Sequence, residues 1–209
     1  MIKNHWTISY ALNKLIRLSF DFFHKDYPWI TRQSTKFIEE NIGVDTVGYE
    51  WGSGRSTLWF AKKTKYLYSI EHDRDWFNQV SQKISEEDIR NVKLIFIPLG
   101  EGLDEHYAKG FEDIDETPDF ILVDGKLRDQ CALEAIGMVR NGGFIIIDNI
   151  NRYIPNKSKS PDSINYQMGH QTEMWKRFSI YTKDWETVWT SDGITDTAIF
   201  IKPSNHKTN

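Results

Sequence analysis

The strongest constraint in this 209-residue chain is a turn. An apolar run, Val47-Gly48-Tyr49, ends in Glu50 and passes through Trp51-Gly52-Ser53-Gly54 into a helix-like run, Leu58-Trp59-Phe60-Ala61-Lys62. A second apolar run over 66–71 ends in another acid, Glu71. Two glycines one residue apart let the backbone reverse sharply and approach a ligand with no Cβ in the way. The helix start behind them leaves N–H groups without intrahelical partners. An acid at the tip of the next strand accepts hydrogen bonds from both hydroxyls of a ribose. A strand–turn–helix–strand unit of this kind holds a nucleoside at the C-terminal edge of a parallel sheet.

The residues around the glycines narrow the nucleoside. A phosphate-binding P-loop needs Lys followed by Ser or Thr after its last glycine, and the chain has neither there. A dinucleotide fingerprint takes a third Gly or Ala where Thr57 stands. Glu50, just before the turn, would repel a pyrophosphate and attract a cationic amine. The run Glu50-x-Gly52-x-Gly54, with Glu71 ending the next strand, resembles motif I of the class I S-adenosylmethionine-dependent methyltransferases. That resemblance implies S-adenosylmethionine as cofactor. Glu50 then lies near its amino-acid moiety, and Gly52, Ser53 and Gly54 pass beneath it. Ser56 and Thr57 reach its carboxylate, Glu71 takes the ribose, and His72 lines the rim of the adenosine pocket.

Composition bounds the partners. A net charge of −4 with pI near 5.9 offers no broad basic surface, so a nucleic-acid substrate is not expected. The single Cys131 excludes an internal disulfide and fits a reducing compartment. No charged-then-apolar leader opens the chain, and no run approaches the ~18–20 apolar residues of a membrane span. The expectation is a cytoplasmic protein acting on a small molecule away from membranes.

Apolar spacing predicts a helix over 6–23 and a second over 29–42, stopped by Gly43. These are accessory helices in 1–44, preceding the methyltransferase domain at 45–202 and a tail at 203–209. Strands are expected over 46–50, 66–71, 92–97, 120–124 and 144–148, separated by helices over 56–63, 75–84 and 127–140. Strand-like runs over 185–190 and 195–202 flank the turn signal Ser191-Asp192-Gly193. The fold class is α/β: a Rossmann-like class I methyltransferase fold, a seven-stranded mostly parallel sheet with a C-terminal antiparallel hairpin and helices on both faces. The polar stretch 151–169 reads as a long loop, either a lid or disordered. Tyr166 and Trp175, on or near it, are candidate aromatic contacts for substrate. His170 is a solvated loop histidine or a base.

A second constellation lies at the ends of two further apolar runs. Asp124 closes Ile121-Leu122-Val123, and Asp148-Asn149 close Ile145-Ile146-Ile147. Acids leaving buried strands call for a cation, a donor or a proton. Asp124, Asp148 and Asn149 resemble the metal ligands of catechol O-methyltransferase and its cation-dependent relatives. That resemblance implies Mg²⁺ or another divalent ion, with Asp124, Asp148 and Lys126 as the catalytic set. The match is incomplete, because Lys126 stands one position short of the family's general base and Gly125 intervenes. Asp124-Gly125 with Arg128 also resembles other small-molecule and sugar O-methyltransferases, for which a metal is not assumed, and on the plainer reading Asp148-Asn149 cap a strand and bind backbone or Arg128. An oxygen acceptor is expected, since the Asp/Asn-Pro-Pro-aromatic run of nucleobase amine methylation is missing. Two rivals stay open: a nicotinamide-dependent oxidoreductase on a related sheet, and a methyltransferase-like binding domain without turnover.

Overall fold

A computed structural model describes residues 7–24, 26–100 and 102–204. Two helices, α1 (Ile8–Phe23) and α2 (Arg32–Asn41), precede an alternation of strands and helices. This comprises β1 (Val47–Trp51), α3 (Arg55–Ala61), β2 (Tyr66–Glu71), α4 (Arg74–Glu86), β3 (Val92–Phe96), α5 (Asp104–Ala108), β4 (Phe120–Val123), α6 (Arg128–Met138) and β5 (Phe144–Asp148). A 3-10 turn over Ile150–Arg152, α7 (Glu173–Tyr181), β6 (Glu186–Ser191) and β7 (Asp196–Ile201) complete the chain.

The seven strands form one sheet in the order β3-β2-β1-β4-β5-β7-β6. All neighbouring pairs from β3 to β5 are parallel, while β7 runs antiparallel to both β5 and β6. The expected mixed sheet with a C-terminal hairpin is therefore the observed one. Residues of β1, β4 and β5 are buried throughout, because helices cover both faces of a parallel sheet. On one face Trp51, Val123 and Ile147 pack with Tyr107, Phe111, Cys131 and Phe178. On the other, Leu67, Leu122 and Ile146 pack with Ile38, Trp59 and Phe60.

Chain order reverses between β1 and β4, which leaves a crevice beyond their C-terminal ends. Because β1, β2, β4 and β5 are parallel, Glu50, Glu71, Asp124 and Asp148 all lie toward this edge. The hairpin turn joins them there, since Asp148 pairs with Thr197 and Ser191 with Asp196.

Several segments differ from the sequence expectation. The second helix starts only at Arg32, because Thr31 is extended and its N–H donates to Thr197 Oγ1 at 3.2 Å. This leaves Trp29 outside the helix. α1 turns Leu12, Leu15, Leu18 and Phe23 toward solvent and docks through Arg17, whose Nη1 lies 3.0 Å from Asp192 Oδ2. The stretch 151–169 is tied down. Asn151 Nδ2 donates to Pro161 O, and Ser158 and Ser160 donate to the buried Asp196 carboxylate at 3.0 and 2.6 Å. Trp175 is a core residue of α7, 1% exposed and stacked on Tyr153 at 5.0 Å, so it is closed to substrate. Tyr166 remains exposed, and the His170 Nε2 shares a hydrogen bond with Ser179.

The β1–β4 seam is closely packed at Gly48. A Cβ on Gly48 would stand 2.2 Å from the Phe120 ring, so only hydrogen fits between the strands. Gly48→Ala should destabilise the protein by about 1–3 kcal/mol in denaturant titration. The double variant Gly48→Ala with Phe120→Leu should recover part of that loss. Equal stability of Gly48→Ala and the parent would show that Phe120 has room to move.

Candidate active site

The crevice contains a cleft of about 360 Å³. One wall is the glycine turn and the β2 tip: Gly52, Ser53, Gly54, Arg55, Ser56, Glu71 and His72. The other comes from β4 and the start of α6: Asp124, Gly125, Lys126 and Arg128, with Trp29 and Trp76 at the sides. Among the described residues none of α1 lines this cleft; the segment after it does, through Trp29.

The turn is built by close approach. Gly52 has φ +95°, and a Cβ there would meet Gly125 N at 2.6 Å, so the loops after β1 and β4 touch backbone to backbone. Gly52 N donates to Ile70 O and Asp124 N to Trp51 O, both at 2.9 Å, which carries the sheet ladder up to the cleft floor.

Glu50 lies beneath the turn and is fully buried. Its Oε2 accepts from Thr57 Oγ1 and Ser69 Oγ, each at 2.6 Å, while its Oε1 has no partner. Thr57 Oγ1 also accepts from Gly54 N at 2.8 Å, so the threonine stands inward, bracing turn and acid together. Burial pushes the Glu50 carboxyl up to about 7, opposed by the nearby hydroxyls of Ser56, Ser69 and Thr57, of which Ser69 and Thr57 stand in hydrogen-bond geometry. A buried, half-satisfied carboxyl of this kind fits a cationic ammonium group.

Glu71 is held more completely. Its Oε2 accepts from Ser53 N and Ser53 Oγ at 3.1 Å, and its Oε1 from the N–H groups of His72 and Asp73 at 2.8 Å. His72 Nδ1 lies 2.8 Å from the same oxygen. Glu71 thus locks the glycine turn to the end of β2, and a ribose would share or replace the Ser53 hydroxyl contact. Trp76 Nε1 donates to Ser53 O at 2.6 Å and completes the turn's support.

Arg128 organises the opposite wall. Its Nε donates to Gly125 O at 2.9 Å and its Nη1 to Asp148 O at 2.7 Å and Asn149 Oδ1 at 3.0 Å. Its Nη2 donates to the main-chain O and the Oδ1 of Asp124, both at 2.7 Å. All five guanidinium N–H groups have acceptors. The guanidinium therefore engages the Asp124 and Asn149 side-chain oxygens that the metal reading assigned to a divalent ion, and of Asp148 it meets the main-chain carbonyl. Asn149, at φ +57°, directs its Oδ1 to Arg128 and its Nδ2 to Thr195. Asp148 Oδ1 accepts from Thr197 Oγ1 at 2.8 Å, and Asp148 does not line the cleft. Among the described residues no group of three or more His, Cys, Asp and Glu side chains is placed to hold a metal ion. The donor set as folded does not fit Mg²⁺, because a cation of the protein already occupies it.

Burial raises the carboxyls of both Asp124 and Asp148, and for Asp124 the Asp148 charge adds to the rise while Arg128 opposes it. Asp124 keeps 27% of its side chain exposed at the cleft wall, so water screens part of that penalty. Lys126 is exposed at the cleft's lip. Of the expected site residues, Gly52, Ser53, Gly54, Ser56, Glu71, His72, Asp124 and Lys126 share the cleft; Glu50 and Thr57 brace it from below. Asp148 and Asn149 hold Arg128 from outside. Trp29, Arg55 and Trp76 had no site role in the sequence analysis, although Arg55 directly follows Gly54.

No protein-family model and no curated protein matches the chain. Solved structures do. An rRNA methylase from Streptococcus thermophilus superposes with a TM-score of 0.57 at 14% identity, over 85% of this chain and 100% of that one. A caffeoyl-CoA O-methyltransferase-like protein from Staphylococcus aureus gives 0.56 at 16%, over 91% of each chain. Aeropyrum pernix fibrillarin with bound S-adenosyl-L-methionine gives 0.53 at 15%, over 81% of this chain and 74% of that one. The fold of this chain is that of the Rossmann-like class I methyltransferases.

Proposed function

We propose that the chain is an S-adenosylmethionine-dependent methyltransferase that works without a resident metal ion and methylates a hydroxyl of a small or sugar-like molecule. The observation that carries this reading is the single cleft joining the acid–glycine–glycine turn to Asp124. The neighbours named above support the cofactor. They include an rRNA methylase as well as an O-methyltransferase-like protein, so the acceptor rests on this chain's own residues. The net charge of −4 and the Asp124-Gly125 sequence at the cleft favour a small hydroxyl compound over a nucleic acid.

The residues fit the cofactor. Glu50 Oε1, buried and unpartnered, suits the ammonium of its amino-acid end, and Glu71 with His72 suits the nucleoside end. The cofactor supplies a methyl group already activated by its sulfonium. The protein is left with alignment and with removing the acceptor's proton. Asp124 is the base: it faces the cleft, is held by Arg128, and its raised carboxyl binds a proton more readily than an exposed aspartate. Lys126 steadies the anionic oxygen from the lip. Arg128 has no free N–H and acts by fixing the two strand ends.

Calorimetry with S-adenosylhomocysteine tests the cofactor grip. Glu71→Ala should weaken binding at least about tenfold, since each charge-assisted hydrogen bond is worth roughly 1.5–3 kcal/mol. Unchanged affinity would remove Glu71 from the site. Chelators should leave turnover untouched, whereas Asp124→Asn should slow it about 10²-fold or more with product affinity little changed. Activity lost on chelation and restored by Mg²⁺ would overturn the metal-free reading.

Glu50 predicts a pH dependence. Its folded carboxyl binds a proton more tightly than in the unfolded chain, so its contribution to stability is present at low pH and is lost as pH rises through about 7. The isosteric Glu50→Gln lacks this loss, on the order of 3 kcal/mol. Thermal midpoints of parent and variant should diverge from about pH 4.5 to about 7, with the parent falling. Affinity of the parent for S-adenosylhomocysteine should rise over the same range while that of Glu50→Gln stays flat. Parallel profiles would place the titration elsewhere.

A further inference from the structure

α1 carries its apolar face on the outside. At about 100° per residue, Leu12, Leu15, Ile16, Leu18 and Phe23 fall within an arc of roughly 160°, wider than the stripe by which a helix packs on its own domain. That arc holds no charged residue. All five side chains are more than half exposed, from 54% for Leu12 to 75% for Phe23. The helix meets the rest of the chain through the adjoining, mostly polar arc. Arg17 reaches Asp192 and the Trp29 carbonyl, Asn13 packs on Gly193, and the Arg32 guanidinium lies over the Phe20 ring at 4.2 Å.

A helix of 16 residues is marginal in water by itself, and in proteins most of its stability comes from packing an apolar face. The described residues leave that face uncovered, so the occupant has to be sought elsewhere. A lipid surface matches poorly. Helices that lie on membranes line their polar face with Lys and Arg, whereas α1 has Lys14 and an Arg17 already engaged by Asp192, on a chain of net charge −4.

A second copy of the chain matches well. Its α1 presents the same uncharged arc, so a two-fold axis brings apolar surface onto apolar surface with no like charges opposed. An axis crossing the helix near Leu15 and Leu18 sets the two helices antiparallel, the favourable alignment of their dipoles. The five side chains expose roughly 600 Å² per copy, hence about 1,200 Å² across a pair, which reaches the lower bound of stable interfaces. We propose that α1 is a self-association surface, whose outward apolar face pairs with α1 of a second copy to form a homodimer. None of the described α1 residues lines the cleft, so this surface is separate from the site proposed above.

Sedimentation of the full chain from about 1 to about 100 μM tests the pairing. Toward the upper end the parent should run at twice the 24.6 kDa chain mass. Leu15→Glu with Leu18→Glu should weaken association at least about 100-fold, because apolar contacts are lost and like charges are placed in opposition. Leu15→Lys with Leu18→Lys should also be monomeric alone, yet should form a mixed dimer with the Glu variant, as direct contact of α1 with α1 requires. Circular dichroism and thermal midpoints at the lowest concentration check folding. If the charged variants misfold, Leu15→Ala with Leu18→Ala carries the test, with an expected loss of at least about 10-fold. A parent that stays monomeric throughout overturns the proposal, and so does a dimer that folded double variants leave intact. Folded Glu and Lys variants that fail to pair when mixed show that α1 meets a different surface, and the assignment fails. A monomeric parent that pellets with phosphatidylserine vesicles gives the face to lipid and overturns it equally.

Discussion

The guanidinium of Arg128 is the interaction on which the active edge depends. Parallel strands end in free carbonyls, and here two of them, β4 and β5, also end in acids. Without a cation between them, Asp124 and Asp148 would repel each other across a poorly solvated gap, and the carbonyls of Asp124, Gly125 and Asp148 would lack donors. Arg128 meets these demands with one planar group. Removing such a group costs far more than a surface ion pair, because it leaves buried charge uncompensated. The same contact sets where Asp124 can point and therefore what the cleft can do.

Across the cleft the arrangement is different in kind. The β4–β5 wall is electrostatically closed, whereas the β1 turn carries unmet capacity of both signs in Glu50 and Arg55. Supporting groups there are well satisfied: Thr57 bridges Gly54 and Glu50, and Glu71 collects donors from Ser53, His72 and Asp73. A frame that is rigid around a few unsatisfied polar atoms is a preorganised binding site, since the ligand does not have to order the protein to gain its hydrogen bonds. The hydroxyl contacts of Thr31, Thr190 and Thr197 extend that frame to α2 and the hairpin, and Thr197 reaches Asp148.

Much of the fold was legible because its signals are local. Apolar runs such as Ile145-Ile146-Ile147 can be buried on both sides only in a covered sheet, and the glycines at 52 and 54 admit few alternatives to a tight turn. The hairpin followed from its Ser191-Asp192-Gly193 signal. The elements passed over are short or lie in polar surroundings. α5 spans five residues, and α7 buries only Trp175 and Phe178 behind the Thr172 cap. The stretch 151–169 looked loose because its anchor, Asp196, lies far along the chain on another strand. Trp175 was misplaced for the same reason: its stacking on Tyr153 is a tertiary fact.

The sequence by itself determined the class of fold and which acids reach the active edge, because strand period and chain direction put the last residue of each parallel strand at the same end. It also determined that the turn after β1 admits a ligand, because glycine alone permits that approach. Only the tertiary structure decided what each acid does there. Asp124 faces the cleft while Asp148 turns to Thr197, Thr57 braces Glu50 from within, and Arg128 fills the position the Asp124, Asp148 and Asn149 pattern had offered to a metal. These outcomes depend on which side chains meet across the sheet, and charge compensation in a poorly solvated space selects a partner by position, whatever the separation along the chain.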